Sequence, residues 1–255
     1  MKKYFMIVMA AVLSLGLLAV SCKKPANDDD LIDNPIDNPD DKPVTGEDAS
    51  LQGSNYYLIV MDGVTSEKIA SKVVADYRPD GEGKNLWVWD GTYEGGTTSG
   101  LSFYGLTEGW VCLKVTTVGW SGAGWQVNNI EGKAPDWLKM KDLATDTDKY
   151  YLHIGYKGAA GQAHIIGFGY AAGGEYKFAI GEGSLDDAGV TYNAIAPINN
   201  NGKFDSKEWN EYEVKLSDMG IDFSKDITDA NVLWCLSGGE TGKEINLDAV
   251  FVYKK

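Results

Sequence analysis

The sequence predicts an all-β protein, a β-sandwich or barrel, and three observations predict it. Short apolar runs with a period of two recur along the chain. Turn signals such as Pro79-Asp80-Gly81, Asp90-Gly91, Gly95-Gly96 and Gly238-Gly239 separate them, from a stock of 31 glycines in 255 residues. No long stretch repeats its apolar residues every 3.6 positions, as an amphipathic helix must.

Taken in order, Tyr56–Met61 is a strongly apolar strand, and Thr65–Ser71 reads as one helical turn with Ile69 facing inward. Val73–Tyr77 returns as a strand. Leu86–Trp89 places Trp87 and Trp89 on one face and Leu86 and Val88 on the other. Leu101–Tyr104 is a short strand. In Trp110–Val118, Val111, Leu113 and Val115 alternate with Cys112, Lys114 and Thr116. The GWSGAGW segment that follows reads as a loop, because Gly119, Gly122 and Gly124 free the backbone there. Asp136–Leu143 is a short helix or a loop. Lys149–Tyr156 sets Tyr150, Leu152, Ile154 and Tyr156 against Tyr151, His153 and Gly155. Strands follow at His164–Tyr170, Tyr176–Ile180, Trp209–Leu216, Val232–Leu236 and Ile245–Tyr253, with Asp222–Ala230 as a loop. The only internal repeat is the IDNP doublet starting at Ile32 and Ile36, so residues 51–255 are expected to form one domain.

The net charge of −14 repels phosphate backbones and anionic membrane surfaces, which argues against nucleic acid as a partner and leaves neutral ligands open. Residues 1–21 read as a signal peptide: Lys2 and Lys3 precede an apolar run from Phe5 to Val20 that ends in small residues. Leu18-Ala19-Val20-Ser21-Cys22 resembles a bacterial lipobox, with Ala19 in place of the usual leucine. That resemblance implies a lipid on Cys22, an anchor that tethers without spanning. Residues 22–50 are an acidic linker rich in proline and asparagine. Its four prolines and repelling charges keep it extended as a stalk. Asp28–Asp30 resembles the acidic signal that sends some Bacteroidota lipoproteins to the outer face of the outer membrane, which implies display at the cell surface.

The last third, from Trp209-Asn210-Glu211-Tyr212-Glu213-Val214-Lys215-Leu216 through Val232–Gly239 to Glu244–Tyr253, resembles the galactose-binding-like jelly roll of carbohydrate-binding modules. The resemblance implies a jelly-roll β-sandwich that binds glycans without cleaving them. It also gives Asp248 a part in a structural calcium site, the one cofactor expected. Anchor, stalk and jelly roll together resemble surface glycan-binding lipoproteins of polysaccharide-uptake systems. Their partners would be a polysaccharide or oligosaccharide and other surface uptake proteins.

A sugar ring has an apolar face that stacks on an indole plane, while nearby polar groups read its hydroxyls. The candidates for stacking are Trp87, Trp89, Tyr93, Trp120, Trp125 and Trp137, with Asp90, Asn128 and Asn129 as polar neighbours. Large aromatics equally serve as core, and either role is open to these. Trp209 and Trp234 are assigned to the core by their place in the resemblance.

Catalytic chemistry has little support. His153 and His164 lie in separate strands with no metal-ligand spacing. No GxSxG elbow occurs. Glu211 and Glu213 are the best carboxylate pair for a glycoside hydrolase or lyase, but a chance pair is expected among 37 acidic residues. Asn199–Glu208 imitates part of a calcium loop, yet Pro197 stands where its first aspartate belongs, and a hairpin turn at Asn201-Gly202 is the better reading. Cys112 and Cys235 both lie in strands, and export leaves a disulfide between them open.

Overall fold

The computed structural model describes residues 48–81, 83–89, 92–116, 120–127, 136–170, 172–225, 230–237 and 241–255. The leader, Cys22 and the stalk as far as residue 47 lie outside the described residues. No helix among the described residues is long and apolar enough to cross a membrane.

The strands are β1 (Ser54–Val60), β2 (Val73–Asp76), β3 (Lys84–Val88), β4 (Tyr93–Leu101), β5 (Thr107–Val115), β6 (Ser121–Val127), β7 (Tyr150–Lys157), β8 (Ala163–Tyr170), β9 (Gly174–Gly181), β10 (Ser184–Asp187), β11 (Val190–Asn193), β12 (Asn210–Lys215), β13 (Ala230–Ser237) and β14 (Glu244–Lys254). One α-helix, α1 (Gly63–Ile69), joins β1 to β2, N-capped by the Asp62 carboxylate.

They form the expected all-β sandwich. The first sheet runs β12-β7-β14-β1-β2, with β5 also pairing β14 and β4 pairing β5. The second runs β3-β6-β13-β8-β9, and β10-β11 is a separate hairpin. Pairing is antiparallel except between β1 and β2, where α1 supplies the crossover.

Alternation builds the core between the two sheets. Leu152, Ile154 and Tyr156 of β7, and Ile245, Leu247, Val250 and Val252 of β14, face Ala123, Trp125 and Val127 of β6 and Ile166 and Phe168 of β8. A second cluster covers the outer side of the first sheet, where Tyr56, Leu58, Phe251 and Tyr253 pack with Leu51, Ile69 and Tyr104. The change of face along β14 has a local cause. A bulge between Asp248 and Phe251, with Ala249 at φ 50°, inserts an extra residue and puts Ala249 and Phe251 outside and Val250 inside.

Five local readings change. GWSGAGW is not a loop: Ser121–Val127 is a central strand, because its glycines all fall on one face while Ser121, Ala123, Trp125 and Val127 are buried on the other. The strand expected at Leu101–Tyr104 ends at Leu101, and Ser102–Leu106 turns the chain between β4 and β5. Asn201-Gly202 lies in a 3-10 turn and joins no hairpin, since β11 pairs β10 and β12 pairs β7. Gly95-Gly96 is not a turn: both residues lie within β4. The disulfide left open by the sequence does not form: Cys235 is buried in β13, Cys112 lies in β5 of the other sheet, and no bridge joins them.

Candidate functional site

The outer face of the second sheet carries the open aromatic site. On β3, Leu86 and Val88 pack against the core, which sends Trp87 and Trp89 outward, 44% and 38% exposed. On β6 the same period sends Gly122, Gly124 and Gln126 outward, and Trp120, just before the strand begins, is 47% exposed. Trp125, on the opposite face, is 1% exposed in the core between the sheets. It is therefore removed from the stacking candidates: a strand that turns Gly124 and Gln126 outward sends the residue between them into the core.

Glycines let the indoles lie down. A Cβ on Gly122 would stand 2.6 Å from Cε3 and 2.7 Å from Cδ2 of Trp89, so Trp89 rests flat on the bare backbone of β6. Trp87 stands at 68° to Trp89 with centroids 5.7 Å apart. One indole makes a floor and the other a wall, a corner into which one face and one edge of a small ring fit.

Polar groups flank this corner. Register aligns Asn85 of β3, Gln126 of β6 and Asn231 of β13 in one row across the strands. Each ends in a carboxamide, a donor and an acceptor together; those of half-buried Asn85 and Gln126 suit hydroxyl groups, whereas the Asn231 Oδ1 is buried. The Asn231 amide lies over Gly124, where a Cβ would come within 2.4 Å of its Oδ1. The neighbouring row reads Trp87, Gly124, Trp234, Gly167 and Lys177. Trp234 is half-buried on this outer face, so its assignment to the core is corrected; the alternation that buries Leu233 and Cys235 turns it outward.

Of the other sequence candidates, Asp90, Asn128 and Asn129 lie outside the described residues, as do the side chains of Tyr93 and Trp137. Sequence reasoning missed Asn85, Gln126 and Asn231. The signal was present, since Asn85 is two residues before Trp87 and Gln126 an even step from Trp120.

The remaining candidates sit elsewhere and are engaged. Trp209 is half-buried on the outer side of the first sheet rather than in the core, edge-to-face with Trp110 and Phe103, its Nε1 donating to the Leu101 carbonyl. Glu211 Oε1 lies 3.0 Å from His153 Nε2, and His153 Nδ1 lies 2.6 Å from the Ala249 carbonyl oxygen. Glu213 accepts from the Tyr253 hydroxyl and pairs with Lys255. His164 is fully buried against Ser237, and burial pushes it down to about 3, which keeps the ring uncharged. In the turn that imitates a calcium loop, Asn199 donates to the Trp209 carbonyl and accepts from the Glu211 amide, so it braces the start of β12.

Asp248 is buried, and its two oxygens accept from the backbone amides of Phe103 and Ala249. Burial, with Glu108 and Asp62 nearby, pushes it up to about 7 against those two donors. Asp62 accepts instead from Gly63 and Gly109, and Glu108 from Thr65 and Ser102. Among the described residues no three acidic, histidine or cysteine side chains converge as metal ligands. These residues do not fit a calcium cage built around Asp248.

No protein-family model matches the chain, and no curated protein matches it. Among solved structures, the chain is similar to a family 30 carbohydrate-binding module, at 17% identity and a TM-score of 0.41 over 67% of this chain and 91% of that one. The family 30 module of a cellulosomal cellulase of Clostridium thermocellum gives the same identity, TM-score and coverage. A family 61 module solved with β-1,4-galactotriose matches at 10% identity and a TM-score of 0.34, over 68% of this chain and 88% of that one.

Proposed function

We propose that this chain is a non-catalytic glycan-binding lipoprotein of the bacterial cell surface, serving a polysaccharide-uptake system. The single observation that carries the binding reading is the corner made by Trp89, flat on Gly122, and Trp87, upright beside it. An exposed indole pair on a rigid sheet offers apolar area that costs little to order on binding, and the Asn85 and Gln126 carboxamides supply hydroxyl partners. The acidic surface favours neutral sugars over anionic ones. The leader, Cys22 and the proline-rich stalk support the anchor and the surface location. The structural alternative, in which every tryptophan serves the core, is at odds with the exposure of Trp87, Trp89 and Trp120.

The test is a titration of residues 48–255 with soluble plant, host and microbial polysaccharides, followed by tryptophan fluorescence. A saturable shift that Trp87→Ala or Trp89→Ala removes, in protein that keeps its circular dichroism, supports the reading. No shift with any polysaccharide sinks it.

A further inference from the structure

The same row of the sheet holds a fourth indole that is closed. Trp234 lies flat on Gly167, where a Cβ would fall within 2.0 Å of its Cε2, so one face of the ring is taken by backbone. Lys177 Nζ stands 5.1 Å from the ring centroid and covers the other face. The indole N–H donates to Glu175, which fixes the ring's rotation. Lys177 is itself tied: its ammonium is 3.2 Å from Asp187 Oδ2 and 3.7 Å from Glu175 Oε2. Asp187 ends β10, so the tie comes from the separate hairpin.

Trp87 and Trp234 lie in one row, two strands apart, and the Trp234 ring lies one strand further, over Gly167, about 14 Å from the β3 backbone. A chain of more than three pyranose rings spans that separation. Resting on the glycan reading above, we propose that Trp234 is a closed stacking subsite for a neutral sugar ring, and that Lys177 is the residue that shuts it. As folded, the face takes a short saccharide on Trp87, Trp89 and Trp120. A longer chain gains a ring on Trp234 only by displacing the ammonium. The charges at this end select against uronates, because one lysine faces two carboxylates, Glu175 and Asp187. The tie is weak enough to yield, since an exposed cation–π contact and a surface ion pair are each worth about 1 kcal/mol or less.

The test compares wild type, Lys177→Ala, Trp234→Ala and the double variant in two readouts. The first needs no ligand: acrylamide quenching of tryptophan fluorescence is expected to rise in Lys177→Ala, and the rise to vanish when Trp234→Ala is added. No rise overturns the closure. The second measures affinity for β-1,4-linked gluco-, manno- and galacto-configured trisaccharides and hexasaccharides, with oligogalacturonides of the same lengths. Lys177→Ala is expected to bind a neutral hexasaccharide about two- to five-fold more tightly, the worth of the contact no longer broken, with the trisaccharide unchanged. Trp234→Ala should cancel that gain. Equal gains for both lengths, a loss for the hexasaccharide, or a gain for oligogalacturonides would overturn the proposal while leaving the Trp87–Trp89 reading in place. Binding by none of the four proteins would overturn the subsite, and would overturn the glycan reading as well where the polysaccharide titration is also silent.

Discussion

The two outer faces of this sandwich are both rich in aromatic rings, and they are used differently. On the first sheet, Phe103, Trp110, Trp209, His153, Phe251 and Tyr253 meet edge-to-face or stacked. Their polar atoms are engaged: Trp110 Nε1 donates to Asn246, Trp209 Nε1 to the Leu101 carbonyl, and Tyr253 to Glu213. On the second sheet, Trp87, Trp89 and Trp120 stand exposed, and a row of carboxamides adjoins the row of Trp87. The first face is a small extra core and the second is a platform. Aromatic content does not separate them; what does is whether rings and polar groups have already found each other.

The strongest way to break the comparison is to remove an indole from each environment. Trp125→Ala empties the core between the sheets and is expected to cost about 3–5 kcal/mol in urea unfolding. Trp89→Ala should cost less than about 1 kcal/mol on the same measurement and yet abolish saccharide binding. Equal destabilisation by the two would erase the distinction between core and platform.

A second prediction follows from Asp248 beneath the covered face. It is raised to about 7 in the fold, against about 3.8 for the ordinary carboxylate. Between those values the folded state holds a proton that the unfolded state has released. Stability therefore falls as pH rises from about 4 to about 7, by up to roughly 4 kcal/mol, and is level below and above that window. Asp248→Asn should flatten this slope in denaturant titrations at pH 4, 5.5 and 7. An unchanged slope would place its cause elsewhere.

A smaller effect sharpens the comparison. Gly122→Ala places a methyl under the Trp89 ring, which must lift. It is expected to weaken binding several-fold while costing about 1–2 kcal/mol of stability, as overpacking does. Affinity equal to wild type would show that the flat setting of Trp89 is not what the ligand uses.

The period of two made much of this fold legible. In β7 the alternating set Tyr150, Leu152, Ile154 and Tyr156 packs into the core, and the outward setting of Trp87 and Trp89 with Leu86 and Val88 behind them was in the alternation. β6 was hidden by its glycines. Gly122 and Gly124 read as a flexible loop, although both fall on the face that Trp89 and Asn231 cover. The same misreading left Trp125 open as a ligand residue, where counting odd and even steps along β6 separates it from Gly124 and Gln126. β4 was hidden in the same way, by Gly95, Gly96 and Gly100. Trp234 shows a limit of a different kind. Its outward setting follows from alternation, but its lid comes from Lys177 on β9 and Asp187 on β10, and no local pattern in β13 announces them.

The central claim is that the open face binds glycan and the covered face does not. Isothermal titration of wild type, Trp89→Ala and Trp209→Ala with one binding polysaccharide tests it most directly. The account predicts binding by wild type and by folded Trp209→Ala, and none by Trp89→Ala. Binding retained by Trp89→Ala and lost in a folded Trp209→Ala would contradict it.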